Sequence, residues 1–267
     1  MHDVPELFLP LIRHPERAAL FLDFDGTLSA IVAEPLAARP LPGVPELLAR
    51  LARTVGLVAV ISGRPNSFLS QVLDAPSGVQ LVGLYGLELA LAAEGQELQA
   101  ANWAEQVAAA AKEATAEAPE GAFVEPKGLT VTLHWRQAPE TESWIVAFAQ
   151  RQHQSRGLSV HPARRSIELR PPLEVDKGTV IRTLVSQMDP APTTLAVFGD
   201  DLGDLPAFDV LPGLRAEGMA AFAVAAVDQE SPPEIAARAD LTVEGAAGAV
   251  RLLEQLAQAI DQRVAGV

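Results

Sequence analysis

The sequence predicts an α/β protein in which helices cover both faces of a parallel sheet and a smaller α+β layer is inserted into the chain. Short apolar segments alternate with segments of helical spacing over most of the 267 residues, and this alternation favours a parallel sheet. The middle of the chain departs from it, with the order helix, two strands, helix, two strands. We therefore expect one domain from residues 1–86 and 176–267 and a second from residues 87–175.

Short apolar runs define the expected strands of the larger domain. The first run stops at Asp23 and the second at Ser62. Residues 44–52 have helical spacing, and Gly56 separates them from the second run. Pro65 suits the first turn of another helix. The expected strands are residues 18–22, 57–61, 79–84, 194–198 and 220–224, and residues 246–260 are expected to form a closing helix.

The inserted segment has a different pattern. Residues 100–117 and 142–152 have helical spacing. Residues 122–125 and 129–135 alternate polar and apolar side chains, as strands do when one of their faces is exposed. The second expected pair of strands is formed by residues 158–161 and 166–169.

The composition excludes several classes of function. The net charge of −14 argues against nucleic acid or an anionic membrane as the main partner. The absence of cysteine excludes disulfides, zinc–thiolate sites and thiol catalysis. Without a signal-peptide pattern or an apolar run of about 18 residues, we expect a cytoplasmic protein. An anionic substrate would require local positive charge, from a bound cation or from a few Lys and Arg side chains.

The first chemical motif, Asp23-Phe24-Asp25-Gly26-Thr27, directly follows a buried strand. Attack by Asp23 on phosphorus would give an aspartyl phosphate and divide a difficult hydrolysis into two easier displacements. Asp25 could protonate the leaving oxygen and later accept a proton from water. The same residues also suit a hairpin turn, because Asp-Gly is a strong turn signal.

Two further motifs offer groups that bind phosphate. Ser62-Gly63-Arg64 supplies a hydroxyl and backbone N–H groups at the start of a helix, although taken alone it favours an ordinary turn capped by serine. Lys177, in the motif Asp176-Lys177-Gly178, could neutralise both a nucleophilic carboxylate and a phosphoryl group. A single lysine is otherwise a solvated surface charge.

The fourth motif places Asp200, Asp201 and Asp204 in one short loop after a buried strand. Three carboxylates so close together repel one another unless a hard cation joins them, and oxygen ligands suit Mg²⁺. The alternative is a loop in which aspartates cap a helix. The position after a buried strand favours the metal.

The four motifs together resemble those of the haloacid dehalogenase superfamily of phosphatases, in residue types and in order. The resemblance implies a Rossmann-like core with an inserted cap that closes over the substrate. It makes Asp23 the nucleophile and Asp25 the general acid and base, with Ser62 and Lys177 holding the phosphoryl group. Magnesium would lie on the Asp23 carboxylate, the Asp25 backbone carbonyl and Asp200, with Asp201 and Asp204 close by.

A narrower resemblance is to the trehalose-6-phosphate phosphatase family. It is carried by residues 21–28 with Glu34-Pro35, by residues 83–88, by the cap segments 124–128 and 133–136, and by residues 167–171 leading to Asp176-Lys177-Gly178. It implies that trehalose 6-phosphate is the substrate and that Glu125, Lys127 and Glu168 bind its sugar hydroxyls. Thr27 and Arg64, in the first two motifs, are assigned to the substrate as well. It also suggests a functional link to a trehalose-phosphate synthase.

The sequence departs from the resembled pattern at three positions. Tyr85 stands where relatives commonly have histidine, Gly203 where they have threonine, and Leu205 where they have an acid. Three alternatives to trehalose 6-phosphate hydrolysis therefore stay open. They are a phosphatase for another sugar phosphate, such as sucrose phosphate or mannosylglycerate phosphate, a phosphomutase, and a catalytically silent domain that regulates a partner.

Overall fold

A computed structural model describes residues 4–32, 34–74, 77–92, 97–163 and 165–266, with the side chains of residues 97 and 98 left out. These residues form two separate sheets. The strands are β1 (Ala18–Leu22), β2 (Leu57–Ile61), β3 (Val79–Val82), β4 (Phe123–Pro126), β5 (Val131–His134), β6 (Ser159–Ala163), β7 (Ser166–Arg170), β8 (Thr194–Gly199), β9 (Ala220–Val227) and β10 (Leu241–Glu244). The helices are α1 (Leu9–Arg13), α2 (Val44–Leu51), α3 (Asn66–Val72), α4 (Leu87–Leu91), α5 (Glu97–Glu117), α6 (Glu142–Arg156), α7 (Lys177–Gln187), α8 (Leu205–Asp209), α9 (Leu211–Ala216), α10 (Pro233–Arg238) and α11 (Gly245–Val264).

The larger sheet has six parallel strands in the order β10-β9-β8-β1-β2-β3. Every residue of β1 and β8 is buried, as expected for central strands covered on both faces. Successive side chains of β1 enter opposite cores. Leu20 packs in the cluster that includes α1, α2 and α11, while Phe21 packs with residues of α7, α8 and α9. The predicted parallel sheet with helices on both faces is confirmed.

The smaller sheet is antiparallel, with the order β4-β5-β7-β6. Its strands come from the segment between β3 and α7, with the predicted order helix, two strands, helix, two strands. Val131, Leu133, Ile167 and Leu169 turn one face toward helices α5 and α6. The opposite face is polar and carries Glu125, Thr132 and Glu168 side by side in register. The domain boundaries at residues 87 and 175 stay a prediction.

Several elements of the structure differ from the prediction in their bounds, and one was not predicted. Strand β3 ends at Val82 rather than at residue 84, because Leu84 and Tyr85 have φ angles of 49° and 56° that end an extended strand. Strand β10 was not predicted, since its four residues follow a region that offered no clear signal. Helix α11 runs to Val264, beyond the predicted residue 260. Among the residues that the structure describes, no helix combines the length and the apolar character that crossing a membrane requires.

Candidate active site

The parallel sheet brings the four sequence motifs to one edge. Asp23, Ser62 and Asp200 directly follow strands β1, β2 and β8, which are neighbours in the sheet, and Lys177 is the first residue of α7. Carboxyl ends of adjacent parallel strands share an edge, where open α/β sheets bind their ligands. One cavity at this edge is lined by residues of both sheets, among them Asp23, Asp25, Ser62, Arg64, Tyr85, Glu125, Lys127, Thr132, His134, Arg136, Glu168, Lys177, Asp200 and Asp201.

Lys177 joins two carboxylates beneath this cavity. Its ammonium group donates hydrogen bonds to Asp23 Oδ1 and, over 2.6 Å, to Asp204 Oδ1. All three side chains are buried. Burial alone would lower the pKa of Lys177, but the charges of Asp204 and Asp23 raise it well above 10.5. Lys177 is therefore a fixed cation beside the predicted nucleophile.

The acidic residues at this edge have an unfavourable electrostatic environment. Burial raises the pKa of Asp23 well above its ordinary value, with Lys177 opposing the rise. Burial also raises the pKa of Asp200, and the charges of Asp201 and Asp23 add to this effect. A cation bound between these carboxylates would favour their ionised form, which a nucleophile needs.

The carboxylates fit a magnesium ion. One oxygen each of Asp23, Asp200 and Asp204 lies within 4.8 Å of the others, and all three residues are buried. A donor set made only of oxygen suits Mg²⁺. Gly26 permits this arrangement, because a Cβ atom there would lie 2.1 Å from Asp200 Oδ2 and the backbone has a φ of 82°.

Asp201 and Asp204 also cap the short helical turn that follows β8. Asp201 Oδ1 accepts a hydrogen bond from Gly203 N over 2.8 Å, and Asp204 Oδ2 accepts from the backbone N–H of Asp200 over 2.9 Å and of Asp201 over 3.2 Å. The capping alternative is thus correct for these two side chains, and it does not exclude a metal. Asp204 Oδ2 fixes the loop while Oδ1 holds Lys177.

Arg64 connects the predicted general acid to the smaller sheet. Its guanidinium donates two hydrogen bonds to Asp25, at 2.7 and 2.9 Å, and one to Glu125 Oε1 at 3.2 Å. The guanidinium also lies over the ring of Phe68, 4.9 Å from its centroid. Arg64 therefore fixes the orientation of the Asp25 carboxylate and bridges the two walls of the cavity.

Glu125 lies on the polar face of the smaller sheet, on the edge strand β4. It accepts a hydrogen bond from His134 Nε2 at 2.8 Å and lies 3.5 Å from the Lys127 ammonium. Burial alone would raise its pKa, but the His134 hydrogen bond and the charges of Lys127 and Arg64 lower it to about 2. Glu125 is therefore an ionised acceptor buried in the cavity wall rather than part of a solvated surface ion pair.

Glu168 and Thr132 each present a polar atom that no group in the described part of the chain satisfies. Glu168 Oε1 accepts a hydrogen bond from Thr130 Oγ1 at 2.9 Å. Its Oε2 and the Thr132 hydroxyl are buried and have no hydrogen-bond partner within the part of the chain that the structure describes. Since unpaired buried polar atoms are costly, these two are suited to hydroxyl groups of a ligand.

Thr27, predicted to bind the substrate, lies two residues after Asp25 in the segment that follows β1. Its side chain is fully buried and does not line the cavity. Its hydroxyl is unpaired among the described residues. The motif position suggested contact with the substrate, and that contact stays a prediction.

From the sequence, no role was assigned to several side chains that line the cavity, among them Tyr85, Thr132 and His134. Thr132 and His134 had a usable signal, because period-two alternation puts them on the same face of β5 and strand pairing sets Thr132 opposite Glu125 and Glu168. Tyr85 had none beyond its departure from the resembled pattern. Its ring meets Gly203, the second departure, where a Cβ atom would lie 3.5 Å from Tyr85 Cε1.

Comparison with known proteins adds independent information. The family model described as trehalose-phosphatase matches residues 21–243, which is most of the chain and includes both walls of the cavity.

This chain belongs to the trehalose-phosphatase family.

One curated relative is the trehalose-phosphate phosphatase of Mycobacterium avium, which is 33% identical to this chain over 261 residues. The match covers 94% of this chain and 64% of the relative. The chain spans 52% of the length of the trehalose-phosphate phosphatase of Mycobacterium marinum and 64% of that of Mycobacterium avium.

Solved structures support the fold of this trehalose-phosphatase family member. The C-terminal domain of a Candida albicans trehalose-6-phosphate phosphatase superposes with a TM-score of 0.73 at 23% identity and covers 97% of each chain. A haloacid dehalogenase-like hydrolase from Bacteroides thetaiotaomicron gives a TM-score of 0.52 at 14% identity, covering 92% of this chain and 98% of its own. At these identities the likeness shows a shared fold, and it confirms the predicted haloacid dehalogenase-like class.

Proposed function

We propose that this protein is a magnesium-dependent phosphatase that hydrolyses trehalose 6-phosphate through an aspartyl phosphate on Asp23. The observation that carries the proposal is the contact of Asp23 with the Lys177 cation at the carboxyl edge of the sheet, in a cavity whose opposite wall presents buried sugar-binding groups. Membership of the trehalose-phosphatase family supports it. The link to a trehalose-phosphate synthase and the cytoplasmic location stay predictions.

In the first step, an Asp23 oxygen forms a bond to phosphorus as the bond between phosphorus and the sugar oxygen breaks. Asp25 gives its proton to that leaving oxygen. Ser62 and Lys177 hold the phosphoryl oxygens, and Lys177 balances the negative charge that spreads over them.

In the second step, a water molecule attacks phosphorus, Asp25 takes up the proton of that water, and the bond from phosphorus to Asp23 breaks. The same two carboxylates therefore serve both displacements, with Asp25 exchanging the roles of acid and base. Arg64 orients Asp25 through two hydrogen bonds.

Magnesium, when bound, would neutralise phosphoryl charge and orient the phosphoryl group for attack. Asp23, the Asp25 backbone carbonyl and Asp200 would hold it. We assign Asp201 and Asp204 chiefly to the loop, because their oxygens already accept hydrogen bonds from backbone N–H groups and from Lys177.

The polar face of the smaller sheet supports a sugar as the leaving group. Glu125 and Glu168 offer carboxylate oxygens, which bond well to neighbouring hydroxyls, and Lys127 offers a donor. Lys127 also reaches across the cavity to Gly63 O at 3.4 Å. A disaccharide has enough hydroxyls to use all of these groups, and a small aryl phosphate does not.

The test is phosphate release from trehalose 6-phosphate, sucrose 6-phosphate, glucose 6-phosphate and p-nitrophenyl phosphate, each with magnesium and with a chelator. We expect trehalose 6-phosphate to have the highest kcat/KM and the chelator to stop turnover of all four. Equal turnover of all four esters would be consistent with catalysis by Asp23, but it would refute trehalose 6-phosphate as the preferred substrate. No turnover of any ester with magnesium would refute the phosphatase function and favour a silent regulatory domain.

A further inference from the structure

Tyr85 is built into the turn that follows strand β3. Its backbone N–H donates to Ser62 O at 2.8 Å, and the N–H of Leu84 donates to Arg64 O at 3.0 Å. Leu84 and Tyr85 both have positive φ angles, which residues other than glycine rarely adopt. The backbone is therefore held in a costly conformation that fixes Tyr85 against the predicted phosphate-binding residues.

The ring of Tyr85 lies directly over Gly63. A Cβ atom at Gly63 would be 2.6 Å from the Tyr85 hydroxyl oxygen, so only glycine leaves room for the phenol. The ring also lies between two cations, with its centroid 5.7 Å from Lys177 Nζ and 5.2 Å from the Arg170 guanidinium carbon. Both contacts are within the range of cation–π interactions, and they restrict the ring to this position.

The hydroxyl of Tyr85 has no hydrogen-bond partner among the described residues, although the side chain lines the cavity beside Asp23, Ser62 and Lys177. Burial raises the pKa of the phenol well above 10, and the charges of Glu168 and Asp201 add to the rise. The hydroxyl therefore keeps its proton and can donate it in a hydrogen bond. Ser62 and Lys177 are the residues already assigned to the phosphoryl group, and the Tyr85 hydroxyl is a further donor whose function is not yet assigned.

We propose that the Tyr85 hydroxyl donates a hydrogen bond to a phosphoryl oxygen of the bound substrate, as a further catalytic residue beside Ser62 and Lys177. This deepens the proposed phosphatase function and rests on it for the reaction, but not for phosphate binding. We favour the phosphoryl group over the sugar as the partner of the hydroxyl, because the ring packs on Gly63 and not on the polar face of the smaller sheet.

The test compares wild type with Tyr85→Phe, which removes only the hydroxyl and keeps the ring on Gly63 and between the two cations. Binding of inorganic phosphate is measured by calorimetry in the presence of magnesium, and kcat/KM is measured for trehalose 6-phosphate and p-nitrophenyl phosphate. We expect phosphate affinity and both kcat/KM values to fall by about 10- to 100-fold, the effect of losing a hydrogen bond to a charged group. The thermal midpoint should not change, since the hydroxyl forms no hydrogen bond with the residues that the structure describes.

Thr183→Val is the matched control, because it removes an exposed hydroxyl on α7 that bonds only to the backbone of Thr179. We expect it to leave phosphate binding unchanged. Wild-type phosphate affinity in Tyr85→Phe would overturn the proposal, as would a loss confined to trehalose 6-phosphate, which would place the hydroxyl on the sugar. Because calorimetry needs no turnover, an inactive wild type would refute the proposed function, and the phosphate affinities of wild type and Tyr85→Phe would still decide whether the hydroxyl binds phosphate.

Discussion

The two walls of the cavity are held in place in different ways. On the wall formed by the parallel sheet, Asp23, Ser62 and Asp200 directly follow buried strands, so the backbone sets their positions. On the wall formed by the antiparallel sheet, Glu125 and Glu168 stand on the strand face and are oriented by other side chains, such as His134 and Thr130. The first wall is rigid because its strands are buried on both faces. The second depends on a network of polar pairs.

This difference separates two kinds of function. Groups that make and break bonds need fixed positions, and the parallel sheet supplies them at the edge where its central strands end. Groups that recognise a sugar need donors and acceptors spread over an area, and the polar face of a pleated sheet supplies those. Substitutions in the first wall should therefore affect all phosphate esters, and substitutions in the second should affect only the sugar phosphate.

The largest effect is expected for Asp23→Asn. An amide cannot attack phosphorus as a carboxylate does, so kcat should fall by roughly 10⁴-fold or more for every substrate. Steady-state rates with trehalose 6-phosphate and p-nitrophenyl phosphate measure this. Asp209→Asn, which changes an exposed partner of Arg238, is the control and should keep its rate. A near-normal rate in Asp23→Asn would contradict the mechanism.

Lys177→Met should have the next largest effect. It leaves Asp23 and Asp204 buried without their cation, and it removes a charge from the phosphoryl site. We expect kcat/KM to fall by roughly 10²- to 10³-fold for all esters, with a lower thermal midpoint because unpaired buried charges are costly. Lys112→Met, at an exposed position of α5, serves as the control. If only the sugar phosphate were affected, Lys177 would belong functionally to the other wall.

Glu168→Gln should show the opposite selectivity. Its unpaired Oε2 loses the charge that attracts a sugar hydroxyl, so kcat/KM for trehalose 6-phosphate should fall by about 10- to 100-fold. Turnover of p-nitrophenyl phosphate should be nearly unchanged. Glu140→Gln, an exposed residue before α6, is the control. Equal losses for both esters would show that the two walls do not divide their functions in this way.

The smallest expected effect concerns stability and pH at the edge of the smaller sheet. Burial and the charge of Arg170 lower the pKa of His161 from 6.5 to about 4. Between pH 6.5 and pH 4, His161 binds a proton in the unfolded chain but not in the folded chain. The free energy of unfolding is therefore highest above pH 6.5, as far as His161 is concerned, and it decreases as the pH falls toward 4.

His161→Asn removes that titration. Between pH 7.5 and 5 its free energy of unfolding should decrease by about 1–2 kcal/mol less than that of wild type. Denaturant unfolding at the two pH values measures the difference, and His14→Asn at an exposed site should behave as wild type. An identical pH response in wild type and His161→Asn would contradict the assigned pKa.

The parallel-sheet wall could be predicted from the sequence in more detail than the other wall. Apolar runs that end in Asp23, Ser62 and Asp200 mark both the strands and the edge at which they meet, because carboxyl ends of parallel strands coincide. The bridge from Asp25 through Arg64 to Glu125 could not be predicted, since residues 61 positions apart meet only when the two sheets face each other.

The turn that holds Tyr85 could not be predicted for another reason. Its position depends on two consecutive left-handed residues that do not include glycine, and no local pattern predicts such a turn. For Thr27, the motif position predicts a contact with the substrate, and the buried position of its hydroxyl could not be predicted from that motif. Local patterns predict strand ends well and side-chain direction within turns poorly.

The most direct test of the account is to trap the intermediate in Asp25→Asn with p-nitrophenyl phosphate and magnesium. The nitrophenolate leaves without a proton, so the first step should proceed, while the second step should stall for lack of a base. We predict a burst of about one p-nitrophenol per active site and, after acid quenching, one phosphoryl group on the peptide that contains Asp23. A burst without a phosphorylated peptide, or a phosphoryl group on another peptide, would contradict the assignment of Asp23 as the nucleophile.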